Sequence, residues 1–469
     1  MNGLYNNPVY LFLTGALNDF AWLKVLLPCV FVGGLVLTIG CRGIQFSRFG
    51  YAMRNTVGKM FRKSEAGKGA VTPLQAVTTA LAATVGTGNI VGTSQAIAMG
   101  GYGAVFWLWI AALLGMIIKY SEVVLAIKFR ERNEKGDWVG GPMYYIKNGL
   151  SKNWQWLGIA FAALAAIAAL GIGNMSQSNS IVGSVNNAVA AFMSDYSDAT
   201  RTAINWALGI GLAVLTALVL FGGIKRIGSV TEKLIPLMSL LYIITTLVVI
   251  IRHIGNIGHA FSLIFRAAFT PQAVLGAGSG ILLRQAVVWG LRRSAFSNEA
   301  GLGSASIAHA AAECEGPVQQ GLYGIFEVFM DTLVICTLTA LTIIISGVDI
   351  SFGTAPGSTL ITAAFGTVFG TRLAALFIAV ALALFAYSTI LGWSLYGTRC
   401  VEYLFGHAAG RVYQLIFILV IIVGCVSPIE FVWNVCDTFN GLMAIPNFVA
   451  LFLLCPVVFK ITREYFADK

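Results

Sequence analysis

The sequence predicts an all-α polytopic membrane protein of about eleven spanning helices, two of them interrupted. Three observations carry this. The 469-residue chain is 57% hydrophobic and only 11% charged, with a mean hydropathy of +0.81. Soluble domains carry roughly 25% charged residues. Apolar stretches of about 20 residues, enough to cross a bilayer, recur along the whole chain, and the alternating pattern of a membrane barrel is absent. Two of these stretches, LQAVTTALAATVGTGNIVGTSQAIAMG at 74–100 and ILLRQAVVWGLRRSAFSNEAGLGSASIAHAAA at 281–312, hold glycine-rich polar inserts.

In chain order the spans fall near 20–41, 74–100, 102–128, 155–186, 202–223, 230–252, 276–306, 319–347, 371–403, 411–434 and 438–460. The stretch 256–270 is shorter and amphipathic, which predicts a helix lying along the interface. Residues 140–150, with paired tyrosines at headgroup depth, read the same way. Fifty-two glycines suit close helix packing in lipid as well as helix breaks. The whole chain, 1–469, reads as one transporter domain. No basic n-region opens the sequence, so no removable signal peptide is expected.

Charge sets the orientation. Residues 1–19 carry no Lys or Arg, whereas 42–68 holds seven: Arg42, Arg48, Arg54, Lys59, Arg62, Lys63 and Lys68. By the positive-inside rule the N-terminus lies outside. Lys225, Arg226, Lys233, Arg399, Arg411 and the tail with Lys460, Arg463 and Lys469 then fall in the cytoplasm, and Asp195 and Asp198 fall outside. The net charge of +10 is thereby membrane orientation, because no basic, aromatic-laced patch points to nucleic acid. The all-helical build places the chain in a cell inner membrane. Eight scattered cysteines without a CxxC pair read as small buried apolar groups, and no His/Cys/carboxylate spacing suggests a metal centre.

Lipid offers no hydrogen bonds to freed backbone, so unwound segments at membrane depth survive only inside protein or beside a water-filled cavity. Two such interruptions, about five spans apart, point to the midplane site of a secondary transporter. With 20–41 as an extra N-terminal helix, 74–252 and 276–460 form two repeats of five spans. An odd number per repeat inverts the second against the first, as in the five-plus-five LeuT-type transporters.

Four blocks then look familiar. Gly86-Thr87-Gly88-Asn89-Ile90-Val91-Gly92, Gly140-Gly141-Pro142-Met143-Tyr144-Tyr145, Ile172-Gly173-Asn174-Met175 followed by Gln177, Ser178 and Asn179, and Ser297 through Ala305 (SNEAGLGSA) resemble the alanine/glycine:cation symporter family. The resemblance extends over nearly the whole chain. It implies a LeuT-type fold and sodium- or proton-coupled uptake of small neutral amino acids, chiefly alanine and glycine, with sodium as coupling ion and no organic cofactor.

The residues themselves nominate a site. A half-helix start offers free N–H groups to a carboxylate, and unwound carbonyls at a half-helix end suit sodium. Thr84, Val85, Gly86, Thr87, Gly88 and Asn89 are the candidates here, against the plainer reading of a glycine-packed helix contact. In span 7 the functional element is either Val288-Trp289-Gly290, nearer midplane by length, or SNEAGLG. Asn298 and Glu299 lie toward the cytoplasmic side as gate, helix-end or substrate-contact candidates, and Arg292 and Arg293 read as structural or gating. Span 9 carries Ser388 and Thr389, hard oxygen donors suited to sodium. Such a hydroxyl pair completes a sodium site in LeuT-type transporters; i−4 back-bonding is the alternative. Trp393, one turn on, is a pocket-wall candidate. In span 4, Asn174 and Gln177 share a face and are substrate candidates, with interhelical hydrogen bonding as the alternative. Lys119 and Glu122, three apart on one helix, predict a local ion pair. Arg284 reads as structural, and Glu327 and Asp331 serve proton coupling, cation attraction or a distant pairing.

The pattern therefore predicts a sodium symporter. Sodium binds between spans 2 and 9, and a small neutral amino acid binds among spans 2, 4, 7 and 9. Its rivals are proton coupling, another substrate such as glutamine, or a channel. No nucleophile–base pair or phosphate-cradling loop supports an enzyme.

Overall fold

The computed structural model describes residues 7–60, 67, 70–193, 196–269 and 283–467. Arg62, Lys63, Lys68, Asp195, Lys469 and the predicted start of span 7 at 276–282 lie outside them.

Among the described residues nine helices are long and apolar enough to cross a membrane. The expected eleven counted two interrupted segments that are not continuous helices. The one strand pair described is a short antiparallel hairpin, Glu131–Arg132 with Trp138–Val139. Burial sorts the helices. The most apolar stretch of Gly103–Lys128 is 83% buried and that of Asp198–Leu220 only 28%. The first is a central helix. The second presents Leu215 and Leu218 outward, as lipid contact requires.

The first interrupted helix starts with a capping box: Thr72 Oγ1 accepts from Gln75 N–H, and the Gln75 side chain reaches back to Thr72 N–H, with Pro73 at the first helical position. Pro73–Thr84 ends where Val85 turns to ψ 84°, and the chain re-enters helix at Gly88–Gly92 and Thr93–Gly100. The second runs Leu283–Asn298, leaves helix at Glu299 and resumes over Ala305–His309. Glu299 adopts a left-handed φ of 57°, and Gly301 and Gly303 follow at 92° and 77°. The break therefore falls in SNEAGLG and not at Val288-Trp289-Gly290. Gly290 stays helical. A methyl there would strike the Ala104 carbonyl, so its missing side chain permits close helix packing.

Other expectations shift for physical reasons. Helix His407–Val426 stops at Ser427, extended at ψ 151° ahead of Pro428, so the stretch expected over 411–434 is divided there. The N-terminal helix extends over Pro8–Gly40, with π-wound turns at Phe12–Leu17 and Phe20–Leu26. Ile257–Phe269 and Pro142–Gly149 are separate short helices. Tyr144 and Tyr145 of the latter are buried against protein, Tyr145 bonding Asn447, instead of facing headgroups.

Candidate functional site

The two breaks meet. Thr84, Gly86 and Gly88 of the first line a small cavity with Phe296, Glu299 and Leu302 of the second. Gln177, Thr389, Trp393 and Asn440 close it from three further helices. Its volume is about 10 Å³, room for roughly one water. The tightest approach is Gly86 against the Thr389 hydroxyl, where an added Cβ would overlap Oγ1.

The first break is supported by amides, one of which rests in turn on a carboxyl group. Gly86 N–H donates to Asn89 Oδ1 at 2.9 Å, and Asn89 Nδ2 donates to Asp331 Oδ1 at 2.7 Å and to the Asp331 carbonyl at 3.0 Å. Asp331 lies in a π-wound turn, Phe329–Cys336, and also accepts from Thr332. Thr87 N–H points to Gln177 Oε1 at 3.4 Å. The Thr87 hydroxyl and both amide atoms of Asn440 are buried without a hydrogen-bond partner among the described residues. Such orphaned polar atoms are uncommon, and here they sit at or beside the cavity. Asn440 was not foreseen, because one amide in an apolar run carries no spacing signal.

The second break is supported directly by carboxyl groups. Glu299 accepts from Trp393 Nε1 at 2.7 Å and from Ser304 Oγ at 2.6 Å. Gly301 and Gly303 N–H donate to Glu122 Oε1 at 3.0 and 3.1 Å, and Asn447 donates to the same oxygen at 2.6 Å. Glu122 therefore caps freed backbone, and the expected Lys119–Glu122 pair is not what forms. Lys119 Nζ lies 3.2 Å from Glu327 Oε1, and all three side chains are fully buried. Desolvated charges need several donors each, which neighbouring helices supply better than one turn of the same helix. At the far end, Arg130 donates to the Ala310 and Ala312 carbonyls, satisfying the last groups of the segment.

The remaining candidates separate. Ser388 and Thr389 hydroxyls donate to the Phe385 carbonyl at 2.8 and 3.1 Å, which leaves their lone pairs free to accept. Thr84 Oγ1 likewise back-bonds to Ala80 at 3.2 Å. Val85 N–H closes the first half-helix onto Leu81. Asn174, expected with Gln177 in the pocket, instead donates to the Phe417 carbonyl at 2.6 Å, while Gly173 packs on the Trp393 ring. Asn298 terminates its helix, accepting from Ala300 N–H and donating to Ser294 and Thr332. Glu299, placed toward the cytoplasmic side by sequence length, lines the small cavity because the break falls in SNEAGLG, the second of the two places the sequence allowed. Arg284 begins the Leu283–Asn298 helix and does not line this cavity.

A larger cavity of about 550 Å³ lies on the side of Val91, Gln95 and the 355–359 loop. Arg292 there pairs with Asp437 and bonds Asn18 Oδ1 at 2.7 Å. Arg293 stacks on Trp289 and on Phe296, each 5.2 Å from the ring centre, and Phe296 also lines the small cavity.

Paired helix breaks converging on a shared polar cavity in an apolar bundle are the architecture of a LeuT-type secondary transporter. The solved structure of MhsT in complex with L-phenylalanine shares the fold, with a TM-score of 0.58 at 13% identity over 85% of this chain and 99% of that one. The sequence model of the sodium:alanine symporter family matches residues 9–469, and the chain belongs to that family. It is 41% identical to the sodium/alanine symporter AgcS of Methanococcus maripaludis over 97% of this chain and 96% of AgcS. It is also 34% identical to the probable sodium/glutamine symporter GlnT of Bacillus subtilis over 97% and 91%. The protein is thus a multi-pass, cation-coupled amino-acid symporter and not an enzyme.

Proposed function

We propose that the protein couples sodium influx to uptake of a small neutral amino acid, alanine or glycine, by alternating access. The carrying observation is the cavity shared by both breaks, with the Thr389 hydroxyl against Gly86. Sodium takes the hydroxyl oxygens of Ser388 and Thr389 together with the carbonyl end of Pro73–Thr84 at Thr84 and Val85, the negative end of that half-helix dipole. The substrate carboxylate faces the freed N–H groups and the Thr87 hydroxyl in the Gly86–Asn89 turn. Its ammonium faces Glu299 and Gln177. Trp393, pinned by Glu299, walls the side-chain end.

A cavity with room for roughly one water holds no amino acid as it stands, so even alanine requires the surrounding helices to part. Residues 74–252 and 276–460 act as the two repeats that rock against each other, with 20–41 outside them. The N-terminus is outside and the C-terminus cytoplasmic, in the inner membrane. Sodium orders the unwound turns and so raises amino-acid affinity, and the substrate raises sodium affinity by the same factor.

Uptake of radiolabelled alanine into proteoliposomes tests this. Accumulation above the bath concentration is expected with an inward sodium gradient and not with potassium in its place. Mere equilibration in both would identify a channel. Accumulation driven by a proton gradient without sodium would overturn the coupling ion.

A further inference from the structure

The path just described leaves unused a fully buried polar cluster on its flank. Lys119 comes from Gly103–Lys128, His309 from the end of Ala305–His309, and Gln320 and Glu327 from Pro317–Val328. All four are 0% exposed. Glu327 sits between two nitrogens: Lys119 Nζ is 3.2 Å from Oε1, and His309 Nε2 is 3.1 Å from Oε2. The other ring nitrogen, His309 Nδ1, lies 2.9 Å from Gln320 Nε2.

These contacts fix a proton inventory. An amide nitrogen only donates, so as drawn His309 Nδ1 accepts, and the ring proton sits on Nε2 facing Glu327. Gln320 Oε1 is left buried with no hydrogen-bond partner among the described residues. Rotating the Gln320 amide by half a turn presents Oε1 to Nδ1, which then must carry a proton. The imidazolium so formed donates to Glu327 on one side and to Gln320 on the other. Amide orientation is assigned from the network, so both orientations fit the same heavy-atom positions. One side-chain rotation thus separates two protonation states of a buried histidine, and in either one the outer amide atom of Gln320 lacks a partner among the described residues.

Further ionisable groups lie on the elements packed around the imidazole. Gly103–Lys128 adds Glu122, the second break adds Glu299, and the turn after Glu327 adds Asp331. Thr371–Phe405 adds the buried, unpartnered Tyr396 hydroxyl, while its Arg399 is held by Asp137 and Glu402. Pro73–Thr84, packed beside Ala305–His309, brings no ionisable group. Phe49–Met60 brings Tyr51 and an exposed Arg54; Ile429–Ala467 brings Asp437, paired with Arg292, and the exposed Lys460, Arg463 and Glu464. Against these carboxyl groups stand Lys119 and, one residue along from His309, Arg130, whose guanidinium is held by the Ala310 and Ala312 carbonyls.

We propose that His309 is a proton-binding site, taking one proton from solution between Glu327 and the rotated Gln320 amide. Proton occupancy at this junction of the second break with two bundle helices makes transport respond to pH as well as to sodium. The transport arm rests on the symport reading; the protonation itself does not.

The test is nitrogen NMR of purified, histidine-labelled protein, in which the signals missing from His309→Gln assign the ring. They are expected to move from the Nε2–H tautomer to the imidazolium as pH falls from about 8 to about 5. A single unchanged form across that range overturns the proposal. Gln320→Glu offers a carboxylate to Nδ1 without rotation and is expected to hold the imidazolium throughout; loss of that form would also count against the geometry. This second variant and the wild-type spectrum decide the matter if His309→Gln fails to fold. In proteoliposomes, sodium-driven alanine uptake is expected to vary severalfold with pH in the wild type and to be flat in folded variants. An unchanged pH profile in both variants sinks the link to transport. No alanine uptake at any pH refutes the symport reading instead, and leaves the NMR result to judge the proton site.

Discussion

The breaks at Val85–Thr87 and Glu299–Ser304 both free backbone groups inside an apolar bundle, yet they are stabilised by different chemistry. The first is held directly by amides, Asn89 on Gly86 with Gln177 beside Thr87, and Asp331 stands behind Asn89. The second is held by carboxylates, Glu122 on two glycine N–H groups and Glu299 on Trp393 and Ser304. Amides placed directly on the first break keep donors and carbonyls available to an incoming zwitterion and cation. Carboxyl groups placed directly on the second break fix the opposite wall. Under the proposed function, the first break is the recognition wall and the second is the anchor.

The comparison breaks most sharply at its narrowest point. Gly86→Ala puts a methyl onto Thr389 Oγ1, with the Thr389 Cβ at 3.3 Å and Gln177 Oε1 at 3.4 Å leaving no side to yield. Sodium-driven uptake is expected to fall by about a hundredfold or more, the equivalent of an overpacking cost near 3 kcal/mol, while detergent-purified protein stays folded by thermal melt. Next comes Glu299→Gln, which keeps shape and removes charge. If the second wall acts electrostatically, kcat/KM for alanine falls about tenfold to about hundredfold. A change within about twofold would reduce Glu299 to a hydrogen-bond acceptor for Trp393.

The smallest effect sharpens the boundary of the site. Asn174→Ala removes a bond to the Phe417 carbonyl, so it is expected to cost about 0.6 kcal/mol of stability and leave the KM for alanine unchanged. A raised KM would return Asn174 to the pocket.

The sequence made some of this readable and hid the rest for identifiable reasons. Glycine-rich polar inserts in apolar runs are visible because lipid forbids them without internal partners. The membrane fold and the Gly86–Asn89 turn were therefore legible. Where the second break falls was not. Gly290 and Gly301 look alike in one dimension, and only three dimensions show that one avoids the Ala104 carbonyl while the other takes a left-handed φ. Ion pairing misled for a related reason. Lys119 and Glu122 share a helix face, yet buried charges seek several partners, and Glu327, Gly301 and Gly303 lie far off in sequence. Asn174 and Gln177 share a face as well. The kink at Gly171–Met175 directs one toward Phe417 and the other into the cavity.

The most direct test of the central claim is alanine affinity of the purified protein in sodium and in potassium, for the wild type and Thr389→Val. A coupling of 1–3 kcal/mol predicts that sodium tightens wild-type binding by about tenfold or more, and that the ratio collapses toward unity when the hydroxyl is lost. A sodium effect that survives intact in Thr389→Val would contradict a cation site shared between the first break and this helix.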